Sequence, residues 1–357
     1  MSGARGLTAA LEFRAVRKRA RIHDPRRDFA LTEIESEVRY DPLTGDSARI
    51  CHFAYPKRAL PDLSALAEGT RTGCPFCPDS VERVTPRYPE ALLAGGRMRR
   101  GEALLVPNLF PYDDVSAIVS MSRAHFLAMD AMPAGIVADA LKLARDFIVA
   151  ASPTLEARAA YGIVTWNYMP PSGASQVHPH MQVIVTDTPG NQLRRELEAE
   201  ARYLTGHGRA YPAALLEAER DGARWLAEAD GVAWWVPYCP NGMLGDAQAM
   251  FVEQATITAC DDAMLETFAR GLCQVLEAYA RLGLWSFNLT LLPDAQAERS
   301  GRHRLTARLL PRFYLHPQLH NSDTAYLQLL LGEKFAMLTP EQHAAELRGL
   351  LAAPAAR

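Results

Sequence analysis

The feature that most constrains the fold is a recurrence. A strand-like stretch at Leu104-Leu105-Val106-Pro107-Asn108, an amphipathic helix over Ala134 to Ala150 and a strand from Gly162 to Tyr168 come first. The same order returns as Trp234-Trp235-Val236-Pro237-Tyr238, a helix over Asp262 to Ala280, and a strand around Ser286-Phe287-Asn288-Leu289. The offsets are similar: 130 residues from Val106 to Val236 and 121 from Asn167 to Asn288. Duplication of one α+β unit accounts for the pattern, and 357 residues suffice for two such units with ample core. The expected fold is therefore α+β, two tandem units, each an antiparallel sheet with packing helices.

Between Ser172 and Val185 the sequence SGASQVHPHMQVIV sets two histidines and a glutamine at alternate positions entering an apolar run. Val183-Ile184-Val185 reads as a strand, and Pro179 holds His178 extended. Residues two apart on an extended chain point the same way. His178, His180 and Gln182 are thus expected on one face, with Met181, Val183 and Val185 on the other. A lone histidine in an apolar strand is more often a satisfied core residue. A His-x-His-x-Gln row behind a Gly/Ser-rich loop reads as functional. The last strand of the second unit, Leu305 to Leu310, falls where the histidine strand would be and has no His-x-His. One active site per pair of units is expected.

Gly73-Cys74-Pro75-Phe76-Cys77-Pro78 is a Cys-x-x-Cys knuckle of the shape that presents two thiolates to one tetrahedral metal. A redox pair or two unrelated thiols is the competing reading, but no thioredoxin-like setting surrounds it. Zinc needs two more ligands, and His125 and His178 are the best candidates. With His178 on the metal, His180 is left as a free imidazole.

The six cysteines are otherwise scattered, which argues against a disulfide scaffold and for a reducing, cytoplasmic setting. A formal charge of −3 gives no global field toward nucleic acid or an anionic membrane. No apolar run approaches a membrane span, and no signal-peptide core is read at the start. The Arg-rich segment Arg14 to Arg27 suits a nucleic-acid arm or a solvated extension, and the near-neutral whole favours the extension. Val38 to Phe53 reads as a hairpin turning at Asp41-Pro42-Leu43-Thr44-Gly45-Asp46. The expected division is an extension (1–37), a first unit with the metal and histidine residues (38–192), and a degenerate second unit (193–357).

Taken together, Asp41-Pro42-Leu43-Thr44-Gly45, Cys74-x-x-Cys77, Asn108-Leu109-Phe110-Pro111, Asn167, Ser175, His178-Pro179-His180-x-Gln182 and Leu338-Thr339-Pro340-Glu341-Gln342 resemble the galactose-1-phosphate uridylyltransferase family. That family is the duplicated branch of the histidine-triad superfamily, so the resemblance implies two histidine-triad-like units. It also implies a double displacement. His180 attacks the α-phosphorus of a nucleoside diphosphate sugar, expels the sugar phosphate and holds the nucleotide as a phosphoramidate, which a second phosphate resolves. By the same analogy Asn167 and Ser175 bind phosphate, and Asn108 lies by the base or ribose. A neutral imidazole is a competent nucleophile near pH 7. Gln182 can donate to oxygens that gain charge in the transition state, and the Ser172–Ser175 loop offers further donors.

The expected partners are a nucleoside diphosphate sugar and a sugar phosphate or phosphate, with no nucleic acid or membrane and a homodimer open to it. Phosphorolysis or hydrolysis is the alternative second half-reaction, and a non-catalytic binding protein a third reading. Two departures matter. Where family members place the three histidines of a second metal, this chain aligns Leu292, Thr306 and Arg308, with Glu196 at the carboxylate position. Arg308 is therefore expected to meet a carboxylate, Glu196 being the candidate. Positions that hold the hexose align with Leu329 and Phe335, which puts galactose in doubt as acceptor.

Overall fold

Alternating arginine and glutamate build the first element. In the computed structural model, which describes residues 11–52, 61–155, 160–296, 298, 300–316 and 318–352, β1 (Ala15–Asp24) and β2 (Ala30–Tyr40) form an antiparallel hairpin. Its register sets Arg17, Arg19 and Arg21 opposite Glu37, Glu35 and Glu33. Opposite charges directly across a sheet attract. The Arg-rich segment is largely exposed, as expected of an extension, but it is an ordered strand whose charge is met by its partner. β2 runs through residue 37 and turns into β3 (Ser47–Ile50). Asp41 Oδ1 holds that turn by accepting from the backbone N–H groups of Leu43 and Thr44, at 3.0 and 2.9 Å. Phe53, the expected end of this hairpin, lies outside the described residues.

Short helices α1 (Leu63–Gly69) and α2 (Pro78–Val84) flank the cysteine knuckle. The first half then contributes β4 (Met98–Arg100), β5 (Ala103–Pro107), β6 (Val115–Ser120), helix α3 (Ala134–Ala151), β7 (Tyr161–Tyr168) and β8 (His180–Thr186). Helices α4 (Asn191–His207) and α5 (Tyr211–Glu219) lead to the second half: β9 (Trp225–Ala229), β10 (Val232–Trp235), β11 (Ala247–Phe251), helix α6 (Asp262–Arg281), β12 (Ser286–Leu292) and β13 (Thr306–Arg312). A ribbon of β14 (Tyr314–His316) and β15 (Asn321–Ser322), then α7 (Tyr326–Leu329), β16 (Lys334–Ala336) and α8 (Pro340–Ala352) close the chain. β16 pairs in parallel with β3, tying the C-terminal region to the N-terminal sheet.

The two halves share one ten-stranded sheet, ordered β4-β5-β6-β8-β7-β12-β13-β11-β10-β9. Exchanging the halves reverses this order onto itself, so the duplication is a pseudo-two-fold about the β7–β12 seam. One transverse row displays it. From the central pair Thr165–Thr290, it runs outward to Gln182, Ile118 and Val106 on one side, and to Arg308, Gln248 and Trp235 on the other. Val106 therefore matches Trp235, one residue from the Val236 that the sequence offset suggests. Asn167 and Asn288, which the sequence offset sets in parallel, are direct cross-strand partners at the seam. Two residues along from the Gln182–Arg308 match, Thr306 stands where His180 stands.

One face of the sheet is covered by α3 and α6, which pack against each other over the seam. α3 buries Val137, Leu141, Ala144, Phe147 and Ile148, a stripe at helical spacing. Gly162 allows the helix to approach β7, because a Cβ there would sit 2.5 Å from Ile148 Cγ2. At the rim, Lys142 Nζ meets Glu266 at 2.5 Å and Arg145 Nη1 meets Asp262 at 2.8 Å, joining the two helices. The other face stays partly open, and the functional side chains lie there.

Candidate active site and metal centre

Cys74, Cys77, His125 and His178 are all buried, and their ligand atoms lie within 4.8 Å of one another. The knuckle forms because Gly73 takes a left-handed turn (φ +79) and Cys77 caps α2, with Pro78 at its first position. Met121 and β8 bring in His178, since Met121 N–H donates to Pro179 O at 3.0 Å. Each histidine turns Nδ1 to the sulfurs. His125 Nδ1 is 3.3 Å from Cys77 Sγ, and His178 Nδ1 is 3.7 Å from Cys74 Sγ.

The opposite nitrogens fix the tautomers. His178 Nε2 lies 2.8 Å from Ser122 O, and His125 Nε2 lies 3.0 Å from Ala67 O. A carbonyl can only accept, so both rings carry the proton on Nε2 and offer a Nδ1 lone pair to the sulfur side. Such outer partners orient metal-bound histidines generally. Burial holds the His178 pKa down at about 4 and lowers that of His125. Burial and neighbouring Cys74 raise the Cys77 thiol to about 11, a cost that a bound cation would offset by stabilising thiolate. Two buried thiols and two neutral imidazoles in one shell fit a closed tetrahedral zinc site.

β8 then places the next residues by alternation. Met181, Val183 and Val185 are fully buried under the helices. His180 and Gln182 face the opposite way, into a cleft lined by Phe76, Val106, Asn108, Phe110, Ile118, Ser175 and Gln176. His180 Nδ1 lies 2.8 Å from His178 O, so it is the protonated nitrogen, and Nε2 keeps its lone pair. Burial lowers the His180 pKa, favouring this neutral form. Phe76 of the knuckle packs against both rings, at centroid distances of 6.0 Å from His178 and 5.2 Å from His180. The Cys2His2 cluster and the free imidazole are thus mechanically one unit.

Asn167 is two residues along β7 from Thr165, the ladder partner of Gln182, which puts it beside His180 on the open face. Ser175 lines the cleft, whereas the Ser172 hydroxyl donates to Met169 O at 2.7 Å and is committed to the loop. Met169 (φ +67) and Gly173 (φ +85) bend this loop back over β12. Asn108 Oδ1 accepts from Phe110 N–H at 3.1 Å and shapes the loop that raises Phe110 and Tyr112. Both rings are more than two-thirds exposed at the cleft mouth. The sequence reading did not single out Phe76, Ile118, Phe110 or Tyr112. The adjacency of Phe76 to both cysteines was the available signal for the first.

With this geometry in hand, comparison with known proteins is informative. A GalT-like protein of Arabidopsis thaliana superposes with a TM-score of 0.67 at 14% identity, covering 87% of this chain and 98% of that one. A uridylyltransferase gives 0.65 at 19% identity, covering 88% and 98%. The chain has the uridylyltransferase fold. An ADP-glucose phosphorylase of Arabidopsis thaliana, solved with bound ADP-glucose, shares it with a TM-score of 0.68 at 15% identity over 88% of this chain and 98% of that one. An uncharacterized protein of Archaeoglobus fulgidus is 28% identical over 312 residues, 87% of this chain and 91% of its own length. No family model matches the chain. Among the described residues no helix is long and apolar enough to cross a membrane.

In this uridylyltransferase fold the second half carries a different filling. Arg308 Nη2 donates to Glu196 Oε2 at 2.8 Å, the pairing expected from the sequence. His303 bridges Glu200 Oε2 and Leu292 O at 2.8 and 3.0 Å. Thr306 and Arg308, the counterparts of His180 and Gln182, line a pocket with Trp235, Gln248 and Glu219. It holds the Arg308–Glu196 ion pair, with Arg308 Nε buried and unpartnered among the described residues, where the first half holds a free imidazole.

Proposed function

We propose that this protein is a nucleotidyltransferase working through a covalent nucleotidyl-histidine, with residues 38–192 as the catalytic unit. The observation that carries the reading is His180: a neutral imidazole held through Nδ1 by His178 O, with Nε2 free on the wall of an open cleft. The Nε2 lone pair attacks the α-phosphorus of a nucleoside diphosphate sugar. A P–N bond forms and the P–O bond to the sugar phosphate breaks, so the sugar phosphate leaves with the bonding pair. A phosphate oxygen of the acceptor then attacks the same phosphorus and returns His180 to its neutral state. Gln182, Asn167 and Ser175 stand where donors to the phosphoryl oxygens are needed. Asn108 with Phe76, Phe110 and Tyr112 offers polar and stacking contacts to the nucleoside.

Zinc held by Cys74, Cys77, His125 and His178 would lock the knuckle to the histidine strand. These four ligands lie behind His180, and a metal held there would supply rigidity. The acceptor is a sugar phosphate, with inorganic phosphate or water as the alternative, because these need no dedicated pocket. Leu329, which is exposed, and Phe335, which is half-buried, take the positions that by resemblance hold the hexose, and their apolar character speaks against galactose phosphate as acceptor. The test is incubation with UDP-, ADP- and GDP-glucose followed by intact-protein mass. One nucleoside monophosphate should add per chain, and its mass names the base. Addition of sugar phosphates or phosphate to the labelled protein then identifies the acceptor. No adduct with any donor, and no turnover, would overturn the reading.

A further inference from the structure

Asn288 lies on the repeated strand of the second half, yet its side chain reaches the site of the first. Its Nδ2 lies 2.7 Å from Asn167 Oδ1 and 2.9 Å from Ser172 O, and its Oδ1 lies 2.7 Å from Arg312 Nη1. The chemistry of the outer partners fixes the order of this chain. A guanidinium can only donate and a backbone carbonyl can only accept. Asn288 must therefore show its oxygen to Arg312 and its NH2 group to the loop and to Asn167. Asn167 must in turn show its oxygen to Asn288, which leaves its own NH2 group for the open face beside His180.

Arg312 is itself held by several partners. Its Nε donates to both oxygens of Asp323 at 2.9 Å, and Nη2 reaches Thr324 Oγ1 at 2.9 Å. Asp323 is buried, with 4% of its side chain exposed. The guanidinium is thus anchored by Asp323 and Thr324 while Nη1 turns to Asn288. It is a fixed charge whose donor polarises the amides in series, as hydrogen-bonded chains do. Asn167 Nδ2 has no protein partner among the described residues, and the end of such a relay is a strengthened donor aimed at an anion.

Resting on the function proposed above, we infer that Asn288 is a positioning residue. The relay Asp323–Arg312–Asn288 orients Asn167 so that its amide donates to the substrate phosphate. The degenerate half keeps this duty although it has lost the nucleophile. It also pins the Ser172–Gly173 loop through Ser172 O, so loop and amide are set by one side chain.

The test compares Asn288→Asp with Asn288→Ala. Aspartate keeps the Arg312 partner but offers only acceptors, so Asn167 must reverse and turn its oxygen to the phosphate. Alanine leaves Asn167 unheld but not reversed. Calorimetric binding of UMP, AMP and GMP is measured beside uridine, adenosine and guanosine. Nucleotide affinity should fall about ten- to a hundredfold in Asn288→Asp, the worth of a hydrogen bond to a charged group, and less in Asn288→Ala. Nucleoside affinity should stay within about twofold, and the melting temperature near that of the wild type. Equal losses for nucleotide and nucleoside, unchanged nucleotide binding, or a larger loss in Asn288→Ala would overturn the inference. A wild-type protein that binds none of the nucleotides would remove the proposed function itself, and the inference with it.

Discussion

Two pockets related by the pseudo-two-fold show what a duplicated frame can keep and lose. In the first half, His180 and Gln182 project from β8 into an open cleft floored by Val106 and Ile118. In the second, Thr306 and Arg308 project from β13 against Trp235, Gln248 and a wall of glutamates. Backbone pairing is conserved across the seam, while the chemistry is reversed. A free neutral base lines the cleft on one side, and an arginine–glutamate ion pair occupies the matching pocket on the other. The backbone frame therefore does not determine activity; the residues on two alternating positions do. The second half still contributes, since Asn288 reaches across the seam.

The difference can be broken most severely at the Cys74–Cys77–His125–His178 cluster, a grouping able to hold a metal that only the first half has among the described residues. Cys74→Ser should lose bound zinc and several kcal/mol of stability, a melting drop of roughly 10 °C or more. Metal content by emission spectroscopy and a thermal scan check this, and unchanged values would remove the metal centre from the account. On the other side of the seam, Arg308→Met would leave Glu196 buried without its cation. That should cost about 3–5 kcal/mol in denaturant unfolding while labelling per folded molecule stays intact. Replacing both partners by apolar residues should recover most of the loss.

Within the cleft, Gln182→Ala should slow both half-reactions by about 2–4 kcal/mol, with no change in melting temperature. Stopped labelling and release assays separate the two halves. The smallest effect concerns a histidine with no task. His343 on α8 is buried against Gly245 and stacked at 5.8 Å on Tyr279, and neither ring nitrogen has a hydrogen-bond partner among the described residues. Burial pushes its pKa down from 6.5 to about 4. The folded state thus binds the proton less tightly than the unfolded state, so stability is full above pH 6.5 and is lost as pH falls toward 4. The loss should not exceed roughly 3 kcal/mol. In His343→Leu the stability profile should be flatter across that window, measured by urea unfolding at a series of pH values.

Much of this was legible in the sequence because it is local. Alternation placed His180 and Gln182 on one face, and Cys-x-x-Cys spacing marked the knuckle. The amphipathic stripes fixed α3 and α6. What escaped depends on register or on distant partners. β16 is three residues long and pairs in parallel with β3, and no local pattern in Lys334–Ala336 announces that. The equal types of Asn167 and Asn288 suggested repeat positions, but only the ladder shows that the two are neighbours. The Arg312–Asn288 relay was hidden for the same reason. Its members come together only after the two halves share a sheet.

The central claim is that His180 carries the nucleotide. The most direct measurement is to label the protein with the active nucleoside diphosphate sugar, digest it at alkaline pH, and map the adduct by fragmentation. The account expects one adduct, on His180, stable to alkali and labile to acid, and absent from a His180→Ala variant that keeps its fold and zinc. Full activity in His180→Ala, or an adduct on Ser172 or Ser175, would contradict it.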